Sequence, residues 1–358
     1  MNKVAQITKL SFFAAANGYS GFRNYFNKIF NPDEYSAIYI LKGGPGTGKS
    51  SFMKRLLLEL EPLVDECEAI YCSSDPISLD GVIIKKGGHS AAVIDGTAPH
   101  ASDPVFPGAV DKILNLGEGW DENILEDNRS VIMELGHSKS QAYKYAYEYL
   151  GIAGEITQLV DNTLKQFYEE RDKTIITSLL SGSLADRAKA KIRLITSYGK
   201  NGFHNLDTLG QITSNIYNVV GVYGSEYIFM SRLVEALNYS GVVFTLFPDA
   251  LDGRKTHAVY IPSIGLGVTT ARPISLSNER VIDTSLFLNQ RLLSTEKDRL
   301  EYLWQERESM LWSSTEQFKR ASDEHFKLEK IYSSAMDFSK NDELYLKCVA
   351  DIRKKLLL

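Results

Sequence analysis

Short apolar runs separated by polar segments recur along the chain. They are rich in β-branched and aromatic residues, which is typical of buried strands. In the first half they are AIYIL (37–41), EAIYCSS (68–74) and SAAVID (90–95), and in the second half IYNVVGVYG (216–224) and GVVFTLF (241–247). The segment SFMKRLLLEL (51–60) instead carries apolar residues at helical spacing. Strands alternating with helices predict an α/β fold built on parallel sheets.

Each half continues into a long stretch with the apolar period of a helix. The first covers residues 128–180 and the second 289–358. The YKYAYEY sequence in the first stretch alternates as a strand would, but Ala142, Ala146 and Leu150 favour a helix. We therefore expect each half to be an α/β core followed by a helical arm.

Four sequence matches in the same order suggest an internal repeat. Phe52-Met53 matches Phe229-Met230 at an offset of 177 residues (229 − 52). The other matches pair GYSGFRN (18–24) with GKNGFHN (199–205), LDG (79–81) with LDG (251–253), and PGAVD (107–111) with ERVID (279–283). The expected domains are residues 1–183 and 184–358, each with an α/β core and a helical arm.

The sequence GGPGTGKS at 43–50 satisfies G-x-x-x-x-G-K-[ST] and lies between the strand at 37–41 and the helix at 51–60. Glycines let the backbone wrap around a phosphate, and a helix N-terminus adds a partial positive charge. In this motif the lysine binds the β- and γ-phosphates, and the serine hydroxyl is a Mg²⁺ ligand. The candidate ATP-binding residues are Gly43, Gly44, Pro45, Gly46, Thr47, Gly48, Lys49, Ser50 and Ser51. Lys49 is also a candidate catalytic residue, and Ser50 a candidate metal ligand.

Acidic residues follow two of the predicted strands. Asp95 ends SAAVID, where a carboxylate is suited to hold Mg²⁺ beside the loop, although such a residue also occurs in ordinary turns. Asp75 follows EAIYCSS and could orient a water or a substrate hydroxyl, or belong to an Asp-Pro turn. His100 could sense the γ-phosphate or be a surface or packed histidine. We take Asp95 and Asp75 as candidate catalytic residues, with Asp95 as the second metal ligand.

The second half lacks this chemistry at the matching positions. Lys49 is matched by Glu226, Ser50 by Tyr227 and Asp95 by Thr270. A carboxylate beside a triphosphate is repulsive. We therefore expect only the N-terminal site to bind nucleotide, and the second half to be a degenerate copy with a structural, regulatory or partner-binding role.

Bulk composition narrows the possible partners. The 358 residues have a formal net charge of −5, so no basic field favours nucleic acid or an anionic membrane. Three cysteines without C-x-x-C spacing fit a cytoplasmic protein. LSFFAAANG (10–18) follows two lysines, as in a secretion signal, but the repeat predicts that it belongs to the fold.

The chain resembles a family of bacterial tandem P-loop ATP-binding proteins. The resemblance is carried by KGGPGTGKSSFMK, CSSDPISLDGVII, VIDGTAPH and PGAVDKILNLGEGWDE, and by the two-repeat layout. It implies an ATP-binding protein with two tandem P-loop NTPase-like parallel-sheet cores, each followed by a helical arm. We expect a Mg²⁺-dependent ATPase or ATP-driven switch that engages a protein partner through these arms. The alternatives are a small-molecule or nucleotide kinase and a non-catalytic ATP-binding scaffold. No N-K-x-D sequence for guanine follows the loop, which makes ATP the default nucleotide.

Overall fold

A computed structural model describes residues 8–183, 190–271 and 280–357 of the chain. It divides into two compact units, and each unit combines segments from both halves of the sequence. Unit 1 is Met1–Ala15, Asn24–Lys144 and Gln317–Leu358, and unit 2 is Ala16–Arg23 and Tyr145–Glu316. The sequence-based division near residue 183 stays a prediction, and residues 184–189 beside it lie outside the described residues.

The strands and helices follow the predicted alternation closely. The strands are β1 (Thr8–Phe13), β2 (Ala15–Gly18), β3 (Gly21–Asn24), β4 (Ala37–Lys42), β5 (Glu66–Tyr71), β6 (Leu79–Lys86), β7 (His89–Asp95), β8 (Asp111–Asn115), β9 (Lys191–Ile192), β10 (Thr196–Gly199), β11 (Gly202–Asn205), β12 (Asn215–Val220), β13 (Thr245–Pro248), β14 (Thr256–Ile261), β15 (Leu266–Thr269) and β16 (Arg280–Asp283). The helices are α1 (Phe26–Ile29), α2 (Lys49–Leu60), α3 (Glu122–Asp127), α4 (Arg129–Phe167), α5 (Lys173–Leu179), α6 (Thr208–Ile212), α7 (Glu226–Ser240), α8 (Gln290–Ser334) and α9 (Ser339–Lys355). None of them, within the described part of the chain, combines the length and apolarity needed to cross a bilayer.

The sheet of unit 1 has the order β1-β5-β6-β7-β4-β8. Its strands run in one direction except β6, which is antiparallel to both β5 and β7. The prediction of a parallel sheet is therefore wrong for this strand. The cause is local, because only Gly87 and Gly88 connect β6 to β7, both with positive φ. A two-residue connection of this kind makes an antiparallel hairpin.

The sheet of unit 2 has the same topology. Its order is β9-β13-β14-β15-β12-β16, and β14 is the reversed strand. Each half also has a small two-stranded sheet, β2-β3 in the first and β10-β11 in the second, in the stretches matched at residues 18–24 and 199–205.

Strand pairing corrects two of the sequence matches. Leu79 lies opposite Tyr71 at the start of β6, and Thr256 lies opposite Pro248 at the start of β14, so the LDG at 251–253 is not the counterpart of the LDG at 79–81. The strand pairing likewise makes Lys112 of β8 the counterpart of Arg280 of β16, which differs by four residues from the PGAVD–ERVID match. Lys112 lies opposite Tyr39 in the first sheet and Arg280 lies opposite Tyr217 in the second, and each cation packs over its tyrosine ring.

The core of each unit is completed by a helix from the other half of the sequence. In unit 1 the buried face of α2 and the strands pack with α9, which contributes Tyr345, Cys348, Val349, Ile352 and, just beyond its end, Leu356. In unit 2 the core includes Ile176 and Leu179 of α5. The helical arms predicted at 128–180 and 289–358 are confirmed as helices. The sequence does not show that each arm ends on the opposite core.

Backbone bridges repeat this exchange in both units. Trp120 follows β8 in the first half and pairs with Met336 after α8. Leu288 follows β16 in the second half and pairs with Tyr168 after α4. The two bridges occupy equivalent places in the two topologies.

Candidate functional site

The glycine-rich segment 43–48 forms the turn between β4 and α2. The preceding strand is buried over Ala37–Leu41, and the helix begins at Lys49. Gly43, Gly46 and Gly48 have φ values of 145°, 72° and 84°, which favour glycine. Gly48 is the N-cap of α2 in the left-handed conformation. The glycine pattern of the motif therefore corresponds to backbone conformations that this turn adopts.

The Lys49 side chain folds back over the loop. Its Nζ donates hydrogen bonds to the carbonyls of Gly43 and Gly44, both at 2.8 Å, and lies 3.7 Å from Asp95 Oδ2. The exposed fractions are 11% for the Lys49 side chain and 14% for that of Asp95. The ammonium is thus held at the loop by acceptors that a phosphate oxygen can replace.

Asp95 reaches the loop because β7 is the neighbour of β4. Asp95 lies opposite Leu41, at the carboxyl end of both strands, where ligands bind in open α/β sheets. Its Oδ1 accepts hydrogen bonds from the Thr97 backbone N–H at 2.9 Å and the Thr97 hydroxyl at 2.6 Å. This fixes the carboxylate with Oδ2 toward Lys49.

The hydroxyl groups of the motif have different surroundings. Ser50 Oγ accepts a hydrogen bond from the Leu79 backbone N–H at 3.0 Å, and Thr47 Oγ1 donates to the Gly44 carbonyl at 2.9 Å. Ser51 is exposed in the first turn of α2. Pro45 at the tip of the loop is partly buried.

Asp75 lies in the turn between β5 and β6. Its Oδ1 accepts from the Ile77 backbone N–H at 3.3 Å, and its carbonyl accepts from Ser78 N–H at 2.9 Å. These contacts are those of an Asp-Pro turn. The carboxylate also lies near enough to His325 to act on the pKa of that histidine, so Asp75 belongs to the surroundings of the loop.

His100 is a packed histidine. Its side chain is buried and stacks on Phe26 at 4.4 Å between ring centroids. Its Nδ1 lies 3.0 Å from the Asp95 carbonyl, and its Nε2 lies 3.4 Å from Asp80 Oδ2. Burial lowers the pKa of His100, but Asp80 and Asp95 raise it by more, so that the net shift is upward. His100 supports the strand end that carries Asp95.

The α8–α9 corner packs directly on the loop. A Cβ added at Gly46 would be 2.5 Å from the Glu329 carbonyl oxygen. Asn341 Nδ2 donates to the Thr47 carbonyl at 2.9 Å, and the Phe338 ring lies 3.6 Å from the Cβ position of Gly48. Gly44 faces the rings of Trp120 and Tyr332. The sequence carries no signal for these contacts, because the corner is almost 300 positions away from the motif.

Lys139 and His325 lie near enough to Lys49 for its charge to act on the pKa of each. Burial, and then repulsion from Lys49, lower the pKa of Lys139 on α4, while Glu329 opposes this shift. Partial burial and the charges of Lys139 and Lys49 lower the pKa of His325 on α8 to about 4. His325 Nε2 lies 3.6 Å from Glu329 Oε1. These residues were not predicted from the sequence.

The equivalent loop in unit 2 has no lysine. Its helix begins at Glu226, whose buried Oε2 lacks a hydrogen-bond partner and whose pKa is raised by burial. Tyr227 donates its hydroxyl proton to Asp249 Oδ2 at 2.8 Å, and Ser225 Oγ hydrogen-bonds Thr284 Oγ1 at 2.7 Å. The start of this helix is thus held by side chains that follow β13 and β16. Thr270 is the counterpart of Asp95 by strand pairing, and its hydroxyl lies 3.0 Å from His257 Nδ1.

No protein-family model, curated protein or solved structure matches the chain. No group of three or more His, Cys, Asp or Glu side chains within residues 8–183, 190–271 and 280–357 is arranged to hold a metal ion.

Proposed function

We propose that the chain binds ATP at the loop formed by residues 43–51 and hydrolyses it, with the energy or the nucleotide state transmitted through the helical arms. The observation that carries the proposal is the placement of Lys49 Nζ. It lies over a left-handed glycine loop at a helix N-terminus and 3.7 Å from a carboxylate at the end of the neighbouring strand. Strand, glycine loop, helix and adjacent acidic strand end are the parts that phosphoryl transfer requires.

The backbone and Lys49 supply the phosphate contacts in this proposal. Backbone N–H groups of the loop and of the first turn of α2 bind phosphate oxygens. Lys49 exchanges its two carbonyl acceptors for the β- and γ-phosphates. The close approach of the backbone depends on the absence of side chains at Gly43, Gly46 and Gly48.

Oxygen donors at the loop fit Mg²⁺. Ser50 Oγ and Asp95 Oδ2 are the hard ligands that this ion takes together with nucleotide oxygens and waters. Bound Mg²⁺ would neutralise charge on the β- and γ-phosphates. Ser50 is held by Leu79 and Asp95 by Thr97, so both ligands are oriented before a nucleotide binds.

Coupling to a partner rests on the contact between the loop and α8. The loop meets the Glu329 carbonyl at Gly46, so a change of loop conformation displaces the end of a helix that runs from Gln290 to Ser334. Packed helices respond to such displacements as rigid elements. This favours an ATP-driven switch among the functions that bind ATP.

Calorimetry with Mg·ATP tests the proposal. We expect one nucleotide per chain. Lys49→Ala should weaken binding at least about a hundredfold, because a charge-assisted contact to the phosphates is lost. Lys54→Ala on the exposed side of the same helix is the matched control and should bind as the wild type does. Two nucleotides per chain, or equal binding by Lys49→Ala, would contradict the proposal.

Turnover separates hydrolysis from the alternatives. Asp95→Asn should reduce phosphate release about a hundredfold while changing ATP affinity much less, because metal-assisted charge stabilisation matters most in the transition state. Binding without phosphate release by the wild type would indicate a scaffold. ADP formation that requires a nucleoside or another acceptor, with the phosphoryl group recovered on that acceptor and not as free phosphate, would indicate a kinase.

A further inference from the structure

The first part of α4 and the last part of α8 lie together beside the candidate ATP site. The rings of Tyr143 on α4 and Phe318 on α8 pack edge to face with centroids 5.9 Å apart. From there α8 continues to Glu329, where its carbonyl meets Gly46. Lys139 lies one helical turn before Tyr143 and therefore projects from the same face of α4. Tyr143 also hydrogen-bonds the side chain of Ser74 in the turn after β5, and the charges of Lys49 and Glu329 act on Lys139, so this part of α4 lies near the loop.

The electrostatics at this position are those of an incomplete anion site. Lys139 is partly buried, and its ammonium experiences repulsion from Lys49 and a smaller attraction from Glu329. His325 experiences the fields of both lysines and of Asp75 and Asp95, which places it within the same group of charges. Two ammonium groups held near each other at reduced solvation are unfavourable unless an anion binds between them. A nucleotide phosphate at the loop is such an anion.

We propose that Lys139 is a second cation for the terminal phosphate of the bound nucleoside triphosphate. Its ammonium would donate to γ-phosphate oxygens, and Lys49 would donate to the β- and γ-phosphates. This inference rests on the proposed function of the loop. It adds a specificity role, since ADP lacks the phosphate that Lys139 contacts.

Nucleotide affinities of the full chain test the role of Lys139. The Lys139→Gln variant should lose about tenfold in Mg·ATP affinity and less than about threefold in Mg·ADP affinity, because only the triphosphate uses this charge. Lys139→Arg should keep the wild-type ratio of the two affinities within about threefold. Lys319→Gln, at an exposed lysine on α8, is the matched control and should change neither affinity.

Amine labelling of the wild-type chain provides a second measurement that does not depend on folding of a variant. Mass spectrometry after brief acetylation should show Lys139 protected by Mg·ATP at least about fivefold more than by Mg·ADP, while Lys319 reacts equally in both. Equal loss of ATP and ADP affinity in Lys139→Gln, or equal protection by the two nucleotides, would overturn the inference. A wild type that binds ATP but shows no effect at Lys139 refutes this inference alone. A wild type that binds no nucleotide refutes the proposed function, and this inference with it.

Discussion

Removing the C-terminal segment should unfold the unit that carries the N-terminal loop. Residues 317–358 belong to unit 1, although they lie at the far end of the sequence. A fragment of residues 1–183 contains the whole motif but lacks α9. We therefore expect this fragment to fail to form a stable ATP site, in contrast to what the repeat pattern of the sequence suggests.

The magnitude follows from the side chains that α9 and its end bury. Those of Tyr345, Cys348, Val349, Ile352 and Leu356 are at most 5% exposed. At about 1.5–3 kcal/mol for each buried apolar side chain, their removal costs on the order of 10 kcal/mol. The hydrogen bond from the Tyr345 hydroxyl to Glu59 is lost as well, at about 1 kcal/mol. A domain has a total stability of roughly 5–15 kcal/mol, so the fragment should be largely unfolded.

A rebuilt single unit is the matched control. Residues 1–144 can be joined to residues 317–358 by about eight Gly and Ser residues, because the rings of Tyr143 and Phe318 are already in contact. Urea unfolding followed by circular dichroism, together with ATP calorimetry, should show a cooperative transition and binding for the rebuilt unit and neither for residues 1–183. The reasoning is refuted if the 1–183 fragment unfolds at the same urea midpoint as the rebuilt unit and binds ATP equally.

Two other predictions concern the loop and a buried histidine. Gly46→Ala should abolish ATP binding, because the new Cβ would lie 2.5 Å from the Glu329 carbonyl oxygen. Gly88→Ala is the control: Gly88 has a similar positive φ, but nothing lies within 4 Å of the new Cβ. This variant should lose only about 1 kcal/mol of stability in urea unfolding. Burial lowers the pKa of His257 from 6.5 to about 4. As the pH falls through this range, His257 therefore binds a proton in the unfolded chain but stays neutral in the folded chain. Stability should therefore drop by roughly 2 kcal/mol between pH 7 and pH 5. Between pH 7 and pH 5 the urea midpoint of His257→Gln should fall less than that of the wild type, and the midpoint of the exposed His89→Gln should fall as much as that of the wild type. An equal fall in the wild type and both variants would contradict the assignment.

The sequence was sufficient to predict the local parts of the candidate site. Its glycine spacing implies the turn at 43–48, and the apolar strand ending in Asp95 lies beside the strand before the loop. The turn and the apolar strand each follow from a short-range rule, namely backbone freedom at glycine and the period of a buried strand, whereas the pairing of β7 with β4 does not. Thr270 was likewise correctly matched to Asp95, because neighbouring strands keep their register in both sheets.

Long-range features could not be predicted in this way. The apolar period of α9 shows that one face of the helix is buried. This period would be the same whether that face packed on the first core or on the second. The cluster of Lys139, His325 and Glu329 depends on which core the C-terminal helices pack on, and so does the contact of Glu329 with Gly46.

The reversed direction of β6 was locally predictable from Gly87-Gly88, since this pair is a hairpin signal.

The exchange of arms has a consequence for how the chain can evolve. Two identical subunits that traded their C-terminal helices would form a closed swapped dimer, a low-cost route to symmetric association. Joining such subunits end to end yields one polypeptide with the connectivity seen here, in which each half contributes a helix to the core of the other. After that fusion one of the two glycine loops is free to lose its lysine, but neither half can be deleted. The second half is retained because the unit that holds the Lys49 loop is built partly from it.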